Sequence, residues 1–228
     1  MAQADDKRAA AEAAVAEIQS GMLVGLGTGT TATEAIHAVA RRVAQGLTIR
    51  AVATSKASYD LAQSLGIAML DFAEVATVDL TIDGTDQIDP QLRAIKGAGG
   101  AMLREKIVAS ASTRMIVICD GTKRVEALSG IVPVEILPFA QAYAERALRE
   151  LGSEPVLRLA DGTTYRTDQD NPILDCRFAA LPDPASTAAA IAAIPGALGH
   201  GLFVDQVDAA YIAADGVVTR LERGATKN

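Results

Sequence analysis

Residues 22–26, MLVGL, form a short apolar run that stops at Gly27-Thr28-Gly29-Thr30-Thr31 and passes directly into a stretch with Ala32, Ala35, Ile36 and Val39 on one helical face. An apolar strand joined by a tight turn to an amphipathic helix is a βα unit, and a chain that repeats it is committed to a parallel sheet covered by helices. This chain repeats it. Residues 5–20 place Ala11, Ala14, Val15 and Ile18 on one face before Gly21, which predicts a first helix, and Gly46 closes the second. Further strands are expected at 48–53, 67–70, 78–82 and 115–119, with helices at 55–65 and 101–110.

From Ile131 the rhythm changes. The pattern becomes strand 131–137, helix 139–151, strand 155–160, strand 172–178, helix 185–194 and strand 201–204, the β-α-β-β-α-β order of a ferredoxin-like unit. Residues 210–213 and 217–221, around Asp215-Gly216, then read as a hairpin returning to the first sheet. The expected fold is therefore α/β: a doubly wound, mostly parallel, Rossmann-like sheet over residues 1–128 and 205–228, with a smaller ferredoxin-like α+β domain over 129–204.

Composition excludes several function classes. The formal charge of −7 disfavours a nucleic-acid groove or an anionic membrane as partner, because both attract surplus cations. Every apolar run is broken by Gly, Pro or a charge well before the roughly 20 residues that span a bilayer. Cys119 and Cys176 stand in unlike contexts, and His37 and His200 are isolated. A reduced, cytoplasmic protein without a metal site is expected.

Ligands of open parallel sheets bind beyond the carboxyl ends of the strands, so the chemistry is sought in the loops there. In the first, Gly27, Gly29 and the threonines Thr28, Thr30 and Thr31 offer backbone N–H groups and hydroxyls at a helix N-terminus, which suits an anion. Gly27, Gly29 and Ala32 also fit a GxGxxA pattern, but Thr54 and Ser55 stand where a dinucleotide site carries its ribose-binding acid, so a phosphate monoester fits better. In the second, Asp83-Gly84-Thr85-Asp86, two acids flank a turn. In the third, Lys96-Gly97-Ala98-Gly99-Gly100 leads into a helix bearing Glu105, which puts a cation, amide donors and a carboxylate together, the components for moving a proton next to a carbonyl. The fourth is Asp120-Gly121-Thr122-Lys123.

The phrases GLGTGTTA (25–32), DGTDQID (83–89), KGAGGAMLREKIVA (96–109), DGTKRV (120–125), PVEILP (133–138), DNPILD (170–175) and IPGALGHGLF (194–203) resemble, in order and spacing, the A-type ribose-5-phosphate isomerases. The resemblance covers nearly the whole chain. It implies an aldose-ketose isomerase of the non-oxidative pentose phosphate pathway that needs no cofactor or metal, takes a sugar phosphate, and assembles as a homodimer or homotetramer. It implies Glu105 as the general base, with Asp83, Asp86 and Lys96 assisting catalysis. Lys7, Thr28, Gly29, Thr30, Thr31, Asp83, Gly84, Thr85, Asp86, Lys96, Gly97, Ala98, Gly99 and Lys123 are implied as the substrate-contacting residues. The family usually has Ala, Glu and Gly where this chain has Thr85, Gln87 and Ala98. An amino-sugar phosphate deaminase, a CoA transferase with a glutamate nucleophile, and a non-catalytic sugar-phosphate sensor are the alternatives for such loops.

Overall fold

The computed structural model describes residues 2–224, which divide into two compact units. The first holds residues 2–85, 104–124 and 205–224, and the second holds Asp86–Leu103 and Val125–Val204. The sequence-based boundary differs in the segments 86–103 and 125–128, expected in the first domain. The physical reason is pairing: strand Ala94–Ile95 bonds on one side to Leu202–Phe203 and on the other to Gln87–Ile88, and the Val125 N–H bonds to the Ile88 carbonyl.

The first unit is a six-stranded sheet. Strands Arg50–Ala53, Leu23–Leu26, Val78–Gly84, Ser112–Asp120 and Ala209–Ala214 lie side by side in parallel, in that order. Val217–Glu222 closes the far edge antiparallel, as the hairpin reading expects. Helices Ala2–Val15, Thr30–Ala44 and Lys56–Ser64 bury alanine and branched aliphatic side chains against one face, with Val24, Leu26, Leu80, Ile82, Ile116 and Ile118 beneath them. The abundance of alanine in the first two helices lets them pack closely. Val108, from helix Met102–Ala111, packs with Val52 and Val78 in a separate cluster.

The second unit contains a four-stranded antiparallel sheet in the order Ala197–His200, Gly130–Ile136, Ile173–Phe178, Ser153–Leu157, with helices Gln141–Glu150 and Pro184–Ala192. Numbered in chain order within this sheet the arrangement is 4-1-3-2, that of a ferredoxin-like unit. Its core is Val132, Val134, Ile136, Ala144, Leu148, Leu174, Cys176 and Ile191. Three expected strands change. The expected strand 155–160 divides into Ser153–Leu157 in this sheet and Leu159–Ala160, which pairs antiparallel with Thr163–Thr164. The segment 67–70 forms only a bridge at Met69 with Ala51. The fourth strand of the antiparallel sheet is Ala197–His200 instead of 201–204, with an irregularity between Ala197 and Gly199, and Leu202–Phe203 joins Ala94–Ile95. No helix among the described residues is long and apolar enough to cross a membrane.

Candidate active site

In the first unit the 27–31 loop leaves strand Leu23–Leu26 and enters helix Thr30–Ala44. Gly29 caps that helix at φ 102, with no side-chain cap, so the first N–H groups of the helix are left to other partners. Lys7 reaches this point from the first helix: its Nζ donates to Thr30 Oγ1 at 3.0 Å. A cation, a hydroxyl and a helix N-terminus thus meet at one place.

Asp83, fully buried near the end of its strand, ties this loop down. Its Oδ1 accepts the N–H of Thr28 at 3.0 Å and of Gly84 at 2.7 Å. A further layer lies below. Thr28 Oγ1 donates to Ser55 Oγ at 2.8 Å and lies 2.7 Å from Thr54 Oγ1, while Ser58 Oγ donates to the Gly27 carbonyl at 2.6 Å. Thr54 and Ser55, notable in the sequence only for not being an acid, are hydroxyl supports for the loop. Ser58 carried no signal, because a serine in a helix is usually solvated.

Glu105 lies in the first turn of helix Met102–Ala111 and is 4% exposed. Burial drives the next residue, Lys106, down to about 7, so above that pH its amine is mostly neutral. Lys123 is placed by the Asp120 loop. Burial of the Asp120 carboxylate is outweighed by hydrogen bonds from Thr122 and Gln3 and by the Lys123 charge, and its pKa falls below the usual value.

The second unit supplies the remaining candidates. Asp86 Oδ2 accepts the Ala98 N–H at 2.9 Å, so the amide expected to face substrate is engaged by an aspartate of the preceding motif. Lys96 is 2% exposed. Its N–H bonds to the Gly201 carbonyl at 2.9 Å and its ammonium stands 5.6 Å from the Phe203 ring centroid, a cation–π distance. Gly97 takes φ 106, whereas Ala98 avoids positive φ, so a side chain at 98 is accommodated without strain. Gln87 Oε1 accepts the Ser129 N–H at 3.0 Å, a bond that a neutral amide makes as well as a carboxylate. Among the described residues no group of three or more His, Cys, Asp or Glu side chains is placed to hold a metal ion.

The ribose 5-phosphate isomerase A (phosphoriboisomerase A) family model matches residues 50–216. The chain belongs to this family. Ribose-5-phosphate isomerase A of Sphingopyxis alaskensis is 48% identical over 220 residues, covering 96% of each chain. Among solved structures, a D-ribose-5-phosphate isomerase in complex with phospho-erythronic acid superposes with a TM-score of 0.94 at 31% identity, over 98% of this chain and 100% of that one. Ribose 5-phosphate isomerase A from Neisseria gonorrhoeae gives 0.91 at 33% identity, with 97% of each chain covered. Membership in the isomerase A family makes the chain an isomerase, and it sets the CoA transferase and the sensor aside.

Proposed function

We propose that the chain interconverts ribose 5-phosphate and ribulose 5-phosphate through an enediolate, with Glu105 as the base. The observation that carries this reading is the meeting of Lys7 Nζ with Thr30 Oγ1 at the N-terminus of helix Thr30–Ala44, which supplies a phosphate monoester with a cation, a hydroxyl and backbone donors. Thr28, Gly29 and Thr31 complete that phosphate loop, and Lys123 adds positive charge from beyond the end of strand Ser112–Asp120, two strands along the sheet. Glu105 takes the C2 proton of the open-chain aldose, the electron pair becomes the C1–C2 double bond, and the same carboxyl returns a proton to C1. The hydroxyl proton on O2 is lost and one is gained at O1, so the reaction needs no cofactor. The burial of Glu105 supports this role, because it keeps bulk water from the transferred proton.

Lys96, with the nearby Gly97 and Gly99 amides, stabilises the enediolate oxygens, while the Ala98 amide is held by Asp86. Asp83 and Asp86, with Gly84 and Thr85, orient hydroxyls and assist ring opening. The enzyme works in the cytoplasm, in the non-oxidative pentose phosphate pathway, as a homodimer or homotetramer. The test is incubation with ribose 5-phosphate without added cofactor, following ketose formation; folded protein that gives no ketose refutes the reading. Glu105→Gln is expected to lower kcat on the order of 10²-fold or more. A Glu105→Gln protein that exchanges the C2 proton with deuterium oxide at the parental rate removes Glu105 from the role.

A further inference from the structure

The DNPILD motif has no part in the chemistry described so far, yet its last residue leads to the 96–99 loop. Asp175, on strand Ile173–Phe178, holds Arg158 in a two-point pair: Arg158 Nη2 to Asp175 Oδ1 at 2.5 Å and Nε to Oδ2 at 2.9 Å. The backbone of Arg158 is fixed as well, its N–H donating to the Ile173 carbonyl and its own carbonyl accepting the Tyr165 N–H, each at 2.9 Å. The side chains of Arg158 and Asp175 are 13% and 23% exposed. This is a half-buried, bidentate pair with both backbone and side chain restrained, unlike a flexible surface ion pair.

The remaining guanidinium nitrogen points at the loop. Arg158 Nη1 donates to the Gly97 carbonyl at 3.0 Å and to the Ala98 carbonyl at 3.1 Å. Tyr165, whose ring centroid lies 5.7 Å from the Arg158 guanidinium carbon, donates its hydroxyl to the Gly99 carbonyl at 3.2 Å. Burial holds the Tyr165 phenol above its ordinary pKa, against the lowering effect of Arg158, so it stays a donor. Three consecutive carbonyls are therefore held from one side. In a trans peptide the N–H points opposite to the C=O, so the N–H groups of Ala98 and Gly99 are turned away from Arg158. The Ala98 N–H does lead away, to Asp86. A cation bonded to a carbonyl also polarises the same peptide and strengthens its N–H as a donor.

We propose that Arg158, held by Asp175 and seconded by Tyr165, is a positioning residue that sets the peptide planes of the 96–99 loop for stabilising the enediolate oxygens. The inference rests on the isomerase reading above and deepens it. Arg158 acts through the loop and does not touch substrate. Misplacing a positioned donor by about 1 Å can cost on the order of 10²-fold in rate.

The test compares Arg158→Met, Arg158→Lys, Tyr165→Phe and, as a control, Arg149→Met, an exposed arginine whose partner Glu145 lies one turn away on the same helix. For each, kcat and KM with ribose 5-phosphate, the Kd of phospho-erythronic acid, whose carboxylate imitates the charge of the enediolate, and the melting temperature are measured. Arg158→Met is expected to lower kcat by about 10- to 100-fold and to weaken phospho-erythronic acid by a similar factor, with KM changed by less than about threefold. Arg158→Lys keeps one donor and is expected to recover part of the loss, and Arg149→Met to behave as the parent. A merely structural role would lower the melting temperature and leave kcat per folded molecule and the split between the two ligands unchanged. If Arg158→Met does not fold, Tyr165→Phe decides: a drop in kcat of roughly three- to tenfold at an unchanged melting temperature supports the proposal, and parental kcat overturns it. A parent chain that binds both ligands but makes no ketose refutes the isomerase reading, whereas an active parent with unaffected Arg158 variants refutes only this inference.

Discussion

Gly27→Ala measures how tightly the 27–31 loop, the proposed phosphate site, is built onto Asp83. A Cβ at position 27 would overlap the Asp83 carboxylate at Oδ1 and Cγ and lie 2.5 Å from the Asp83 Cα, where ordinary contact begins near 3.4 Å. Rotating the Asp83 side chain does not relieve this, because the Cα belongs to the backbone of a central strand and the Gly27 N–H is itself bonded to the Ile82 carbonyl at 3.0 Å. The loop has to lift, and the bonds from the Thr28 and Gly84 N–H groups to Asp83 lengthen or break. Overpacking costs about 1–3 kcal/mol, and each hydrogen bond to a charged acceptor is worth about 1.5–3 kcal/mol, so a partly relaxed variant loses roughly 3–6 kcal/mol. For a chain of this size that is a fall in melting temperature on the order of 10–20 °C, read by circular dichroism, together with a raised KM for ribose 5-phosphate. Gly29→Ala is the contrast. Nothing lies within 4 Å of its Cβ, and only the positive φ is strained, at about 1–3 kcal/mol. A Gly27→Ala protein that melts within about 2 °C of the parent with unchanged kcat/KM refutes the argument. So does full rescue of Gly27→Ala by adding Asp83→Ala, since the clash with the strand backbone would persist.

Lys7→Met removes the cation at Thr30 and is expected to raise KM for ribose 5-phosphate by about 10- to 100-fold, the worth of one charge-assisted bond, with kcat changed much less; steady-state kinetics read the split. Burial pushes the thiols of Cys119 and Cys176 up to about 12, so both are expected to resist iodoacetamide in the native protein and to react once it is unfolded, as mass spectrometry would show. Because the unfolded thiols ionise near 9 and the folded ones only near 12, their stabilising contribution is complete below pH 9 and is lost as pH rises from 9 toward 12, at about 1.4 kcal/mol per pH unit per thiol. Denaturant melts across that window that show no such loss refute the burial.

The longer strands and the helices of both units are legible in the sequence because apolar runs and faces end in Gly or polar residues, whereas the two-residue strands Gln87–Ile88 and Ala94–Ile95 carry no such pattern. What an apolar run does not reveal is its partner. Residues 202–203 read as the last strand of the ferredoxin-like sheet, yet they pair with Ala94–Ile95, and the strand Gly130–Ile136 is completed by Ala197–His200, whose glycine weakens the local signal. The same limit governs the site. The loops with glycines, acids and lysines stand out because each combines a turn with a charge. Thr54, Ser55 and Ser58 do not, since their work lies in a hydroxyl network whose other members are 26 to 31 residues away in the chain. Arg158 is less visible still: its bonds to the Gly97 and Ala98 carbonyls span 61 and 60 residues and involve no side chain of the loop.

Asp83 and Asp86 read in sequence as a pair of acids waiting for sugar hydroxyls, and the structure gives each a second duty. Asp83 holds the Thr28 amide of the 27–31 loop, and Asp86 holds the Ala98 amide of the loop that bears Lys96. Each carboxylate has two oxygens and about four acceptor sites, so an amide on one oxygen still leaves capacity for substrate on the same group. The motif DGTD therefore fixes one loop in each unit with the same chemistry. Its two acids differ from surface acids such as Glu150, whose ion pair with Arg146 is exposed at both ends and worth little. The net charge of −7 is compatible with an anionic substrate for this reason: the acids nearest the loops have their charge met by backbone N–H groups. At the 27–31 loop, Lys7 and the helix N-terminus supply local positive charge, which acts over the roughly 8 Å that charge reaches in physiological salt.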